Sequence, residues 1–71
     1  MESKFKERFK LLRAENNLSQ SKIANILNVG RQTVVNWETR GSEPDYNTLI
    51  KIANYFKVTT DYLLGVVDDI Q

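Results

Sequence analysis

Apolar side chains recur along this chain at spacings of three and four, in stretches separated by short polar breaks, and the pattern predicts five helices and no strand. Phe5, Phe9 and Leu12 form one stripe with charges around it, which predicts a first helix over Lys4 to Asn16. Asn16-Asn17 ends it, and Leu18 is placed to tuck under the next helix. Ser19 is a good N-cap for a second helix, Gln20 to Leu27. There Ile23 and Leu27 fall four apart, with small Ala24 beside them where another helix can approach. Asn28 and Val29 make a tight turn, Asn because it tolerates left-handed backbone and Val29 as an apolar plug for the corner. Gly30 is then an acceptable cap for a third helix, Arg31 to about Thr39, with Val34 and Trp37 inward.

After the loop from Thr39 to Pro44, Asp45 caps a fourth helix, Tyr46 to Phe56, whose Leu49, Ile52, Ala53 and Phe56 stand at core spacing. Lys57-Val58 leads to Thr59 as a cap, and a short fifth helix takes Thr60 to about Gly65. The last residues, 66–71, carry no clear pattern and read as a tail, a linker or a dimer contact. The expectation is therefore an all-α, compact five-helix domain over 1–65, followed by a tail or the start of a linker over 66–71.

Seventy-one residues lie near the lower limit at which one core sustains itself. With no cysteine, neither a disulfide nor a thiolate metal site can help, so helix packing must carry stability, with dimerisation as a further source. The charged start MESKFKERFK contains no signal-peptide apolar core, and no apolar run approaches the ~20 residues of a bilayer span. These features lead us to expect a soluble, cytoplasmic protein. An enzyme is disfavoured. The chain has no His and no Cys, which removes the commonest general base and the best nucleophile. Asp68-Asp69 is the only adjacent carboxylate pair, and no glycine-rich phosphate loop or metal-ligand spacing occurs. We expect no cofactor, no metal, no membrane and no small-molecule ligand.

The net charge of +1 argues nothing by itself, but its distribution is uneven. Residues 1–40 hold eight Lys or Arg against four Glu, a balance of +4, whereas residues 41–71 hold Lys51 and Lys57 against five acids, a balance of −3. A basic face near the third helix fits that polarity, as does plain solvation of two helices. The face of the third helix opposite Val34 and Trp37 shows Arg31, Gln32, Val35 and Asn36. Arg suits guanine O6 and N7, Gln and Asn suit adenine N6 and N7, and a valine methyl packs on thymine. An ordinary solvated helix face is the alternative for the same residues.

The run LSQSKIANILNVGRQTVVNWE, Leu18 to Glu38, resembles the helix-turn-helix of the Cro/CI-type (XRE-like) family of phage and bacterial transcriptional regulators. The resemblance extends from about Phe5 to Gly65, because the basic first helix, the Pro after the motif and the ending VTTDYLLG also follow the family pattern. It implies a lambda-repressor-like fold with a helix-turn-helix made by helices 2 and 3. It also implies a sequence-specific double-stranded DNA-binding transcriptional regulator, a phage or bacterial repressor working as a homodimer on a palindromic operator. Arg31, Gln32, Val35 and Asn36 match the base-reading positions. Gln20 matches a phosphate-binding position, in agreement with the anion affinity of a helix N-terminus. Ser21, Lys22 and Thr33 are further backbone contacts by position, and Arg40 and Ser42 in the next loop can reach neighbouring phosphates. Arg13 and Glu38 match positions that pair across helices 1 and 3. Tyr62, Leu63, Val66 and Val67 are the expected dimer contacts.

Two departures stand out. Asn28 replaces the usual turn Gly, and Arg40 stands where a Gly is expected, with Gly41 one place later. The chain is either a small stand-alone regulator or the DNA-binding portion of a longer one. A helix-turn-helix used as a protein-interaction module, such as an antitoxin or assembly partner, is the competing reading. Its mark would be a reading face of acids or apolar groups. RNA is disfavoured because the A-form major groove is too narrow for this helix.

Overall fold

The computed structural model describes residues 2–68. Five helices follow in order, α1 (Phe5–Glu15), α2 (Gln20–Leu27), α3 (Arg31–Thr39), α4 (Tyr46–Phe56) and α5 (Thr60–Leu64), with no strand among the described residues. Three of the five starts have a side-chain cap. Ser19 Oγ accepts the Lys22 N–H at 3.0 Å, Asp45 Oδ1 accepts the Thr48 N–H at 2.8 Å, and Thr59 Oγ1 accepts the Tyr62 N–H at 3.0 Å. These are the three side-chain caps that the sequence pointed to.

Four of the helix ends share one device. A residue in left-handed backbone follows the last turn, namely Asn17 (φ 56), Asn28 (φ 59), Lys57 (φ 58) and Gly65 (φ 87). The next residue is apolar and sends its N–H back five residues: Leu18 to Arg13 O, Val29 to Ala24 O, Val58 to Ala53 O and Val66 to Asp61 O, at 2.9–3.0 Å. This satisfies carbonyls the helix leaves open and, at the first three ends, turns an apolar side chain toward the core, whereas Val66 stays exposed. Leu18 and Val29 pack against the core and Val58 lies inside it. Only α3 ends differently, with Arg40 in right-handed backbone and the positive φ delayed to Gly41 (φ 73).

The core is built on an aromatic cluster. Phe5 and Phe9 stack at 5.3 Å, Trp37 meets both edge-on at 5.9 and 5.4 Å, and Phe56 meets Phe9 edge-on at 6.4 Å. Phe56 itself is half-buried and closes the cluster from one side. Ile23, Leu27, Val34, Ile52 and Leu63 fill the rest, one or more from each of α2 to α5. Burying such side chains stabilises by about 1.5–3 kcal/mol each relative to exposure, the dominant favourable contribution in a domain this small.

One expectation is corrected at the C-terminal end. Tyr62 and Leu63, expected as dimer contacts, are 6% and 0% exposed within the protomer. Because α5 is so short, its inward turn is occupied by these two residues, and neither retains surface for a second copy. Residues 66–68, expected as tail, linker or dimer contact, are tied to α1 through Arg8, with Val67 half-buried and Val66 and Asp68 exposed. The Arg8 guanidinium lies 4.4 Å over the Tyr62 ring and donates to Tyr62 O at 2.7 Å, to Val67 O, and to Asp68 Oδ1 at 2.8 Å. Lys4 adds its backbone N–H to Leu64 O at 3.1 Å. The rest of the expected tail, 69–71, lies outside the described residues. Among the described residues no helix is long and apolar enough to cross a membrane.

Candidate nucleic-acid interface

The three-residue turn Asn28-Val29-Gly30 sets α2 against α3. Asn28 takes the left-handed conformation that allows so short a connection, and Val29 is half-buried at the corner. Gly30 is extended (φ −74, ψ 151) and its carbonyl accepts the Thr33 N–H at 3.1 Å, opening α3. Helical periodicity then divides α3 into two faces. Val34, Trp37 and Glu38 are buried. Arg31 and Gln32 are exposed, and Val35 and Asn36 half-buried, on the arc opposite. The structure thus brings the four expected base-reading residues onto one face. Thr39, passed over in the sequence, shares that arc, with its hydroxyl donating to Val35 O at 2.8 Å.

This face is polar, cationic at Arg31 and free of carboxylates within α3, because the helix's one acid, Glu38, is turned inward. An α-helix carrying such side chains fits the major groove, whose base edges present matching donors and acceptors. Gln32 Nε2 donates to Asn36 Oδ1 at 3.0 Å, so these two amides are bonded to each other one turn apart.

Behind α3 lies a network that fixes its orientation. Glu38, 4% exposed, accepts from Arg13 Nε at 2.7 Å and Nη2 at 2.9 Å. It also accepts from Gln20 Nε2 at 3.1 Å. Arg13 Nη1 completes the set by donating to Leu18 O at 2.8 Å. One carboxylate on α3 therefore ties down α1 and the first residue of α2, and Arg13 carries the link on to the α1–α2 turn. The pairing of Arg13 with Glu38 was implied by family resemblance, whereas the link to Gln20 was not. A carboxylate and a neutral amide 18 positions apart give no periodic signal, and only the approach of α2 to α3 joins them.

Gln20 is half-buried and commits one amide N–H to Glu38, which leaves the second N–H for an anion at the N-terminal end of α2. Ser21 and Lys22 are exposed on the same turn, and Thr33 on the first turn of α3. Arg40 and Ser42 are exposed in the loop after α3, whose turn comes at Gly41, one residue later than the family pattern places its glycine. Among the described residues no group of His, Cys, Asp and Glu is arranged to hold a metal ion.

The short turn, the buried anchor beneath α3 and the polar face above it define a helix-turn-helix DNA-binding domain. Residues 9–63 match the family described as Helix-turn-helix. The chain belongs to this Cro/CI-type (XRE-like) helix-turn-helix family of transcriptional regulators. It is 39% identical over 59 residues to the HTH-type transcriptional regulator ImmR of Bacillus subtilis, covering 83% of this chain and 46% of that protein. It is 40% identical over 60 residues to the SPbeta prophage-derived HTH-type transcriptional regulator YonR of the same species, covering 84% of this chain and 56% of that one. The crystal structure of a transcriptional regulator from Listeria innocua superposes on the whole chain with a TM-score of 0.88 at 32% identity, 66% of that chain being covered. The chain thus spans about half the length of the curated relatives it matches.

Proposed function

We propose that this domain binds double-stranded DNA sequence-specifically as a homodimer on a two-fold-symmetric operator and represses transcription there, in the cytoplasm of a bacterial or phage-infected cell. The observation that carries the reading is the face of α3. Arg31, Gln32, Val35 and Asn36 project from the arc opposite Val34 and Trp37, with no carboxylate of α3 among them. In this arrangement α3 enters the major groove. Arg31, Gln32, Val35 and Asn36 read base edges, while Gln20, Ser21, Lys22, Thr33, Arg40 and Ser42 hold phosphates on either side. Two copies place their α3 helices in successive major grooves about 34 Å apart. Repression follows if the occupied operator overlaps the site polymerase needs.

With Tyr62 and Leu63 in the core, the dimer contact falls to neighbouring apolar surface. Val66 is 55% exposed, and Tyr46, 85% exposed, borders a cleft of about 210 Å³ lined by Phe5, Glu43, Pro44, Leu49 and Leu64. A tyrosine that exposed, beside an apolar cleft, is suited to insertion into the same cleft of a two-fold mate.

The test is selection of purified protein against a randomised duplex pool at two salt concentrations, followed by sequencing. Enrichment of a two-fold-symmetric site supports the reading, and its half-site spacing gives the dimer geometry. Weak binding that falls steeply with salt and has no sequence preference would overturn it. A protein partner would then be the object of search.

A further inference from the structure

Thr39 lies on the outer arc of α3 with its hydroxyl already engaged. At about 100° per residue it falls between Val35 and Asn36 around the helix, inside the arc those residues share with Gln32. It is exposed, and its Oγ1 donates to Val35 O at 2.8 Å. A threonine hydroxyl has one proton, and here that proton is committed to the helix's own backbone. Donation to a phosphate or to a base acceptor would require breaking this bond. The oxygen can still accept, but it is drawn back toward the Val35 carbonyl. The γ-methyl, the other substituent on Cβ, stands in a different staggered position and is the group left to meet a ligand. Val35 and Thr39 are four apart, so their β-carbons lie about 5–6 Å from each other. Helical side chains lean toward the N-terminus, which carries Thr39 over the turn that holds half-buried Val35. Their methyl groups form a small apolar notch beside the amides of Gln32 and Asn36, which are bonded to each other at 3.0 Å.

We infer that Thr39 is a further specificity residue, whose γ-methyl and the Val35 side chain together cradle the 5-methyl group of one thymine in the major groove. The inference rests on the base-reading role of α3 proposed above. Thymine alone of the four bases carries a methyl group on its major-groove edge. Carbon–carbon contacts are best at about 3.5–4.0 Å, so one methyl resting over the gap between Val35 and Thr39 touches both.

The experiment replaces each thymine of the wild-type protein's selected operator in turn by deoxyuridine. That change removes the 5-methyl and keeps every hydrogen-bonding group of the base. Binding is measured for the wild type, Thr39→Ser, Thr39→Val and Val35→Ala, with circular dichroism showing that each variant is folded. The wild type is expected to lose about 3- to 5-fold in affinity at one thymine of each half-site, the worth of one buried methyl. Thr39→Ser keeps the hydroxyl that bonds Val35 O and lacks the methyl. It is expected to respond less to deoxyuridine at that thymine, and so is Val35→Ala. Thr39→Val keeps a methyl there and lacks the hydroxyl, and is expected to respond as the wild type does. Wild-type affinity unchanged by deoxyuridine at every thymine would overturn the inference and leave the regulator reading intact. So would a Thr39→Ser protein that loses as much as the wild type at each thymine, or a Thr39→Val protein that has lost the response. If the wild type enriches no sequence at all, both the methyl notch and the regulator reading fail.

Discussion

Arg13 and Glu38 face each other in a bidentate pair, Nε to Oε2 at 2.7 Å and Nη2 to Oε1 at 2.9 Å, with the Glu38 side chain only 2% exposed. A buried pair of this kind gains little over an apolar pair of the same shape, but half of it is costly. Arg13→Ala leaves the Glu38 carboxylate in the core beside a neutral amide. The expected loss is about 3–5 kcal/mol, much of the stability of a small domain. Arg13→Met combined with Glu38→Leu removes both charges and is expected to recover most of that loss. Urea unfolding followed by Trp37 fluorescence measures both variants. An Arg13→Ala protein within about 1 kcal/mol of wild type would show that the pair anchors nothing.

Acid should loosen the molecule at two exposed carboxylates. Hydrogen bonding to the Thr48 side chain and backbone N–H holds Asp45 below its ordinary pKa, with the charge of Lys51 adding to this. Asp68 is held down first by its hydrogen bond with Arg8 and then by the charges of Lys4 and Arg8. A carboxylate whose folded pKa is depressed stabilises the fold above its unfolded value of about 4 and loses that contribution as pH falls through the folded value. Thermal unfolding at a series of pH values should therefore show an acid limb below about pH 4 that Asp45→Asn and Asp68→Asn each make shallower. Asn still caps a helix, so Asp45→Asn should change the slope more than the neutral-pH stability. A limb of unchanged slope in both variants would place the acid sensitivity elsewhere.

The parts of this fold that were legible in the sequence are those governed by local chemistry. Ser19, Asp45 and Thr59 cap as their side chains dictate, Asn28 turns left-handed, and the stripes Phe5-Phe9-Leu12 and Leu49-Ile52-Ala53 face the core. What escaped were relations between distant positions. Arg8 reads as one more charge on α1, yet its guanidinium binds residues 62, 67 and 68. Tyr62 and Leu63 sit near the chain end in a segment too short to show a period, so their burial became visible only once α5 was seen against α1. The shared face of Arg31, Gln32, Val35 and Asn36 was legible because one helix holds them all. The Gln20–Glu38 bond was not, because two helices must first be docked.

Lys57 is the least suited of the residues in left-handed backbone, at φ 58, since its Cβ crowds the following carbonyl and it lacks the short amide that helps Asn17 and Asn28. Lys57→Gly relieves that crowding at the cost of a more flexible unfolded chain. The net expectation is a gain of about 0.5–1 kcal/mol, or several degrees in Tm, with DNA affinity unchanged. Asn28→Gly should gain less. A Tm at or below wild type for Lys57→Gly would mean that the turn gives lysine compensating contacts.

Tyr46 tests the proposed dimer. Placed at the first position of α4 and 85% exposed, it touches little of its own core, so its loss should leave the fold standing. Tyr46→Glu puts a charge beside the cleft lined by Phe5, Pro44, Leu49 and Leu64, where a mate's apolar surface would otherwise close. If two copies meet there, sedimentation should shift toward monomer. Affinity for a full operator should fall about thirtyfold, the effect of removing one aromatic anchor worth about 2 kcal/mol. Binding to an isolated half-site should be unchanged, because α3 lies outside the altered surface. That contrast separates a dimer contact from damage to the reading helix. Full-site affinity equal to wild type would move the dimer contact away from this cleft, whereas equal loss at full and half sites would make Tyr46 part of the DNA interface itself.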